Sequence, residues 1–173
     1  FDIIMYKRVE LSAYAMIITA LMIAGMCGVI IYALKQQDHN PASWILGAMA
    51  VSFFLPPFFY MPLGVFIDKE NLKIKRPLKV KTIPLSEIVE VRLCPPTMGA
   101  KRICGNGGWF GWYGWFKEND LGKYFAYYGK ASDCFLVILK DGKKYMLGCK
   151  DAPEMVEAIK THILNCDDKD RKI

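Results

Sequence analysis

Two long stretches without a charged residue constrain this chain more than anything else in it. Leu11 to Leu34 is 24 residues and Trp44 to Phe66 is 23, and residues 11–66 carry only Lys35 and Asp38. As a helix the first run is about 36 Å long at ~1.5 Å per residue. That length crosses a hydrocarbon core ~30 Å thick with some tilt. A buried helix of a soluble protein seldom holds more than about 10–14 apolar residues in a row. A signal peptide has an apolar core of only ~7–15 residues, and Met26 stands where a lipoprotein signal needs a small residue before Cys27. The expectation is therefore an anchor: a transmembrane helical hairpin over residues 1–66, with spans at about 11–34 and 44–66. The polar link from Lys35 to Ser43 is short enough to force the spans antiparallel.

Charge is distributed as unevenly as hydropathy. The chain has 23 Lys+Arg against 17 Asp+Glu, a net +6. Residues 1–66 sum to zero, so the whole excess lies beyond them. Lys7 and Arg8 precede the first run, and Lys69, Lys73, Lys75, Arg76, Lys79 and Lys81 follow the second. Basic residues near span ends mark the cytoplasmic side, which places both termini in the cytoplasm and the link outside. Neither run holds an ionisable carboxylate, Lys, Arg or His, the groups that line transport pathways. Ala20, Ala24 and Gly28 form a small-residue stripe, with Gly47 or Ala48 and Ser52 on the other run. Such faces let helices approach closely in lipid, either within the hairpin or between copies of the chain.

From Val65 onward the apolar period shortens to two. Leu72 and Ile74 alternate with Lys73 and Lys75, Val80 and Thr82 with Lys79 and Lys81, and Val89, Val91 and Leu93 with Glu90 and Arg92. These patterns suit antiparallel strands with one wet face. Tyr124 to Tyr128 and Phe135 to Leu139 read as further strands. Asp141-Gly142 supplies a tight hairpin turn before a return strand over Lys143 to Cys149. Asp151, an early Pro153 and Glu154 open an amphipathic helix that runs to about Asn165. Strands followed by one helix make an α+β domain over residues 67–166, with a charged tail at 167–173.

Two spans followed by "IPLSEIVEV", "FGWYGWF", "LGKYFAYY" and the terminal "DAPEMVEAI" resemble the bacterial PH-domain-containing membrane proteins, over roughly residues 45–165. The resemblance implies a pleckstrin-homology-like antiparallel partial β-barrel capped by the C-terminal helix, held at the inner membrane. It implies a binding module rather than a particular ligand, because PH-like folds serve lipids, peptides and self-assembly alike.

Catalytic signatures are absent. No two of the six cysteines have the two-to-four-residue gap of a zinc knuckle, and reducing cytoplasm favours free, mostly buried thiols. His39 and His162 have no nucleophile or metal partner in sequence. The glycines from Gly105 to Gly114 are interleaved with aromatics and lead into no amphipathic helix, unlike a phosphate loop. The reading is non-enzymatic, without cofactor, metal or nucleic-acid partner.

Two sets of residues remain as candidate sites. Trp109, Phe110, Trp112, Tyr113, Trp115 and Phe116 form a glycine-rich aromatic segment. Its rings either fill the domain against Tyr124, Tyr127 and Tyr128, or lie in the headgroup zone that amphipathic rings favour, or bind a partner. The basic set, Lys69, Lys73, Lys75, Arg76, Lys79 and Lys81, is either a headgroup site, where each cation near an anionic leaflet is worth about 1 kcal/mol, or a solvated face. Function is then read as a membrane-anchored module that binds lipid headgroups or a protein partner on the cytoplasmic face. The alternative is a structural subunit of a homo-oligomeric or larger membrane complex.

Overall fold

The computed structural model describes residues 4–35, 41–53 and 55–170. A short strand, β1 (Met5–Arg8), precedes the first helix, α1 (Ala13–Lys35). Ser12 opens that helix by accepting the Ala15 amide on its hydroxyl at 3.1 Å, the usual way to satisfy an orphan donor at a helix start. The chain then forms α2 (Pro41–Phe53) and a single further turn and a half, α3 (Leu55–Tyr60). Pro56 and Pro57 sit in the first turn of α3, where a helix needs no backbone donor. The polar link at 36–40, including His39, lies outside the described residues.

Nine more strands and one helix follow. They are β2 (Gly64–Ile67), β3 (Asn71–Lys75), β4 (Lys81–Pro84), β5 (Ile88–Leu93), β6 (Lys101–Gly108), β7 (Gly111–Glu118), β8 (Gly122–Tyr128), β9 (Cys134–Leu139), β10 (Lys144–Gly148) and α4 (Ala152–Asp170). They make a four-stranded sheet in the order β1-β2-β3-β4 and a six-stranded sheet in the order β5-β9-β10-β8-β7-β6. The sheets do not join into a closed barrel. A 3-10 turn, Leu85–Glu87, ends the β4 ladder and sends the chain into the second sheet.

Nor is the fold wholly antiparallel. β10 inserts between β9 and β8, and being antiparallel to β9 it runs parallel to β8. The Asp141-Gly142 turn between β9 and β10 forms as its residues dictate, with Gly142 at φ 79.

The main core lies between the sheets. Val65, Ile67, Leu72 and Ile74 of the small sheet meet Val91, Phe135, Val137 and Leu147 of the large one, and Met155, Val156 and Ile159 of α4 close one side. Side chains of opposite parity on the large sheet, among them Tyr124, Leu136 and Met146, build a second buried cluster on its other face.

Several sequence boundaries move. Only α1 among the described helices is long and apolar enough to cross a membrane. The run expected to span to Phe66 stops short, because Gly64–Ile67 is strand β2. Gly64, Val65 and Ile67 are buried and Phe66 is half-buried, and a strand covered on both faces is as uniformly apolar as a helix. Position 66/67 therefore falls inside a strand. The first residues of the chain also belong to the sheet: Met5 to Arg8 pair with Ile67 to Gly64 in antiparallel register. The C-terminal helix continues into the charged tail as far as Asp170, and residues 171–173 lie outside the description. Five cysteines are free, but only Cys134 and Cys149 are buried, while Cys27 and Cys104 are exposed. The side chain of Cys166 lies outside the description.

The small-residue stripe does not pack the hairpin on itself. Ala20, Ala24 and Gly28 are exposed, while Met22, Met26 and Val29 of α1 line, with Leu46 and Met49 of α2, an open groove between the two helices.

Candidate membrane-facing site

Strand register defines one end of the molecule. Arg8, Gly64 and Lys75 stand side by side across β1, β2 and β3. Arg8 leads to α1 and Gly64 follows α3, so this end adjoins the apolar helices. The Leu63 amide donates to the Lys75 carbonyl at 2.8 Å, and the Val9 amide to Leu63 at 3.1 Å, tying the strand ends to the helix connections.

This geometry divides the basic set. Lys75, Arg76, Lys79 and Lys81 lie at the helix-proximal end, on the close of β3, the following loop and the start of β4. The loop is drawn tight by Arg76, whose Nε donates to the Lys79 carbonyl at 3.0 Å. The Arg76 guanidinium also rests 5.8 Å from the ring centres of both Tyr60 and Tyr127. Lys75 covers Tyr6 at 5.9 Å and Lys81 covers Tyr145 at 5.6 Å, so aromatic faces hold the cations in place. Lys69 sits on the turn at the opposite end of the sheet, about 13 Å away at ~3.3 Å per strand residue. Lys73 is also spent elsewhere, in an ion pair with Asp68. That hydrogen bond, together with the Glu70 and Asn71 amides, holds the Asp68 carboxyl at about 2, below its ordinary value.

Sequence reasoning missed what lies between the cations. Leu78 is 64% exposed and Val80 is 44% exposed. Alternation placed Val80 on a strand, whereas the strand begins at Lys81 and the loop presents both apolar side chains outward.

The aromatic segment is a β-hairpin, β6–β7, turning on Trp109-Phe110. Tight two-residue turns favour Asn-Gly or Asp-Gly because the central residues need positive φ. Here Phe110 takes φ 54, a conformation uncommon for a bulky residue. The surroundings explain its persistence. The Phe110 amide donates to the Thr19 hydroxyl of α1 at 2.9 Å, and Trp109 stacks on Phe53 of α2 at 5.0 Å. Asn106 fastens the turn from inside, donating to the Trp109 carbonyl and, at 3.1 Å, to Gly111.

The two faces of the hairpin meet different helices. Trp112 lies against Tyr14 of α1 and stacks on Tyr128. Tyr113 points the other way and stacks with Tyr60 of α3 at 6.3 Å. Burial pushes the Tyr113 hydroxyl up to about 12, with the Asn106 hydrogen bond opposing. Phe116 is buried against Tyr124. Trp115 is half-buried, edge-on to Phe125 and under the Lys123 ammonium at 4.5 Å. The hairpin tip is thus wedged between the two helical legs. Thr19 lies six residues beyond Ala13, so the tip reaches about 9 Å along α1.

Among the described residues, no group of three His, Cys, Asp or Glu is placed to hold a metal ion. Two packed sheets with a helix at one side stand on an apolar helical base and present loops and cations at the end next to it. The Bacterial PH domain family matches residues 63–163, and the chain belongs to that family. No curated protein and no solved structure matches it.

Proposed function

We propose that this chain is a non-enzymatic PH-family module, tethered by two spans with both ends on the cytoplasmic side, whose helix-proximal rim binds anionic lipid headgroups. The observation that carries the reading is the rim itself. Lys75, Arg76, Lys79 and Lys81 gather at the one end of the sheet where the apolar helices leave, with Leu78 and Val80 exposed between them. Cations flanking apolar side chains match the chemistry of a leaflet surface, with phosphate outside and acyl chain within. The topology supports a return to one side: β1 and β2 are neighbours in one sheet, so the chain that leaves at Arg8 comes back at Gly64. The helices α2 and α3 together hold 19 residues, about 28 Å at ~1.5 Å each, and this supports a second, broken crossing.

The test uses the full chain in detergent, with native mass spectra recorded during titration with short-chain phosphatidylglycerol or phosphatidylcholine. Phosphatidylglycerol should be retained at least tenfold more tightly. That preference should fall with added salt and in the K75Q/R76Q/K79Q/K81Q variant, since each cation contributes about 1 kcal/mol. Equal retention of the two lipids would sink the reading. A second reading, self-association through the stripe of Ala20, Ala24 and Gly28, is favoured by its exposure on the face of α1 away from α2. The same spectra decide it, because a monomer at all concentrations excludes it.

A further inference from the structure

A groove of about 540 Å³ separates α2 and α3 from strands β6 to β8, within the ~300–1,000 Å³ typical of small-molecule sites. Its walls are aromatic: Phe53 and Tyr60 from the helices, Trp109, Trp115 and Phe125 from the sheet. Its floor is bare backbone where Gly105 pairs with Gly114. Side chains are excluded there by geometry. The two glycines have φ 153 and 122, and a Cβ on Gly114 would lie 2.4 Å from the Gly105 Cα. The amide nitrogen of Asn106, at the groove's edge, donates to carbonyls within the hairpin itself, so the lining is arranged for an apolar guest.

Position identifies the guest. Phe53 and Trp109 stack at one end of the groove, at the level where Phe110 bonds to Thr19, two turns into an apolar helix. The groove is therefore continuous with the layer that lipid chains occupy around α1. At Tyr60 it is bordered by the guanidinium of Arg76, a cation suited to phosphate. We infer that this groove receives one acyl chain of a leaflet phospholipid, drawn from the bilayer between α3 and the β6–β7 hairpin, with the phosphate on the Arg76 side. The inference rests on the membrane-facing placement of this end of the molecule and extends it from headgroup contact to a seat for a single chain.

The experiment reads chain position rather than headgroup preference, so its failure and that of headgroup binding are distinguishable. The full chain is reconstituted in nanodiscs of phosphatidylcholine and phosphatidylglycerol, the latter carrying a diazirine on one acyl chain. Photolabelled peptides are then mapped by mass spectrometry. Labelling is expected on the strand peptides that hold Trp115 and Phe125, in addition to α1. Cys104 lines the groove and is exposed, so C104F fills it from a tolerant position. In that variant the strand labelling should fall at least fivefold while α1 labelling holds steady as an internal control. Labelling confined to the helices in the unmodified chain, or strand labelling indifferent to C104F, overturns the inference.

Discussion

The most perturbed carboxylate outside the helices is Asp68, and its position makes it a structural group. It closes the β2–β3 turn, accepting the Glu70 and Asn71 amides at 3.1 and 2.8 Å while pairing with Lys73. Its pKa in the fold is about 2, below the ordinary 3.8. A depressed carboxyl stabilises the fold fully above its unfolded value and loses that contribution as pH falls through the folded one. The window is therefore about pH 4 down to 2. For a pair so near solvent the contribution is about 0.5–1 kcal/mol. Thermal unfolding of the detergent-solubilised chain should show D68N less stable than the parent at pH 7, with the gap closing as pH drops through that window. A gap unchanged at pH 2.5 would mean that packing of the turn, not ionisation, sets its stability. The pairing of Lys73 with Asp68 also shows how the fold divides a basic set that sequence grouped together. Six cations follow the second apolar run closely, but a strand carries its ends apart, and only Lys75, Arg76, Lys79 and Lys81 share the helix-proximal end.

Among the elements, β1 joins parts that are remote in sequence. It pairs with β2 across the whole apolar insertion. The Lys7 ammonium reaches the carboxylates of Asp151, just before α4, and Glu154, in its first turn, at 3.2 and 2.5 Å, and the Lys150 amide donates to the Arg8 carbonyl at 2.8 Å. The two acids that read as a helix cap thus also clamp the N-terminal strand. Deleting residues 5–8 leaves β2 as an unpaired edge, a template for aberrant pairing. Hydrogen exchange should accelerate in β2 and in the first turn of α4, with β6 and β7 keeping their protection. Uniform loss of protection would indicate that β1 nucleates the whole domain. β3 was legible from alternation, and α1 from length and composition. β5 is a strand as expected, but a bulge between Ile88 and Glu90 breaks its alternation, so Ile88 and Val91 are buried while Val89 and Leu93 face outward. Four residues set apart from their partner by the apolar helices carry no such signal, and the pairing of β8 with β10 depends on where β10 inserts. The β6–β7 hairpin was hidden for a different reason. Its turn residues are aromatic, and its glycines serve close strand approach rather than a loop.

For the molecule as a whole, the decisive quantity is how deep the domain sits. α1 has 23 residues, a length of about 35 Å against a hydrocarbon core of ~30 Å. Little of the helix can therefore stand clear of the core on either side. With α1 crossing as proposed, the Trp109-Phe110 turn, which meets that helix at Thr19 about 9 Å beyond its start, is expected to lie several ångströms within the leaflet. A β-turn at that depth would expose backbone donors to hydrocarbon at a cost of several kcal/mol. The contacts already described offset this: Thr19 takes the Phe110 amide, and the amide of Asn106 satisfies two turn carbonyls. Three of the four tryptophans lie in this hairpin, which makes depth measurable. In liposomes, with Trp44 replaced by Phe, lipids brominated near the headgroup end of the chain should quench more of the remaining emission than lipids brominated near the chain ends. T19V, which leaves the Phe110 amide without its partner, should shift that emission to longer wavelength as the tip loosens toward water. Quenching by neither lipid would put the hairpin outside the bilayer, and would then require that α1 rise about 9 Å clear of the core with its apolar side chains in water.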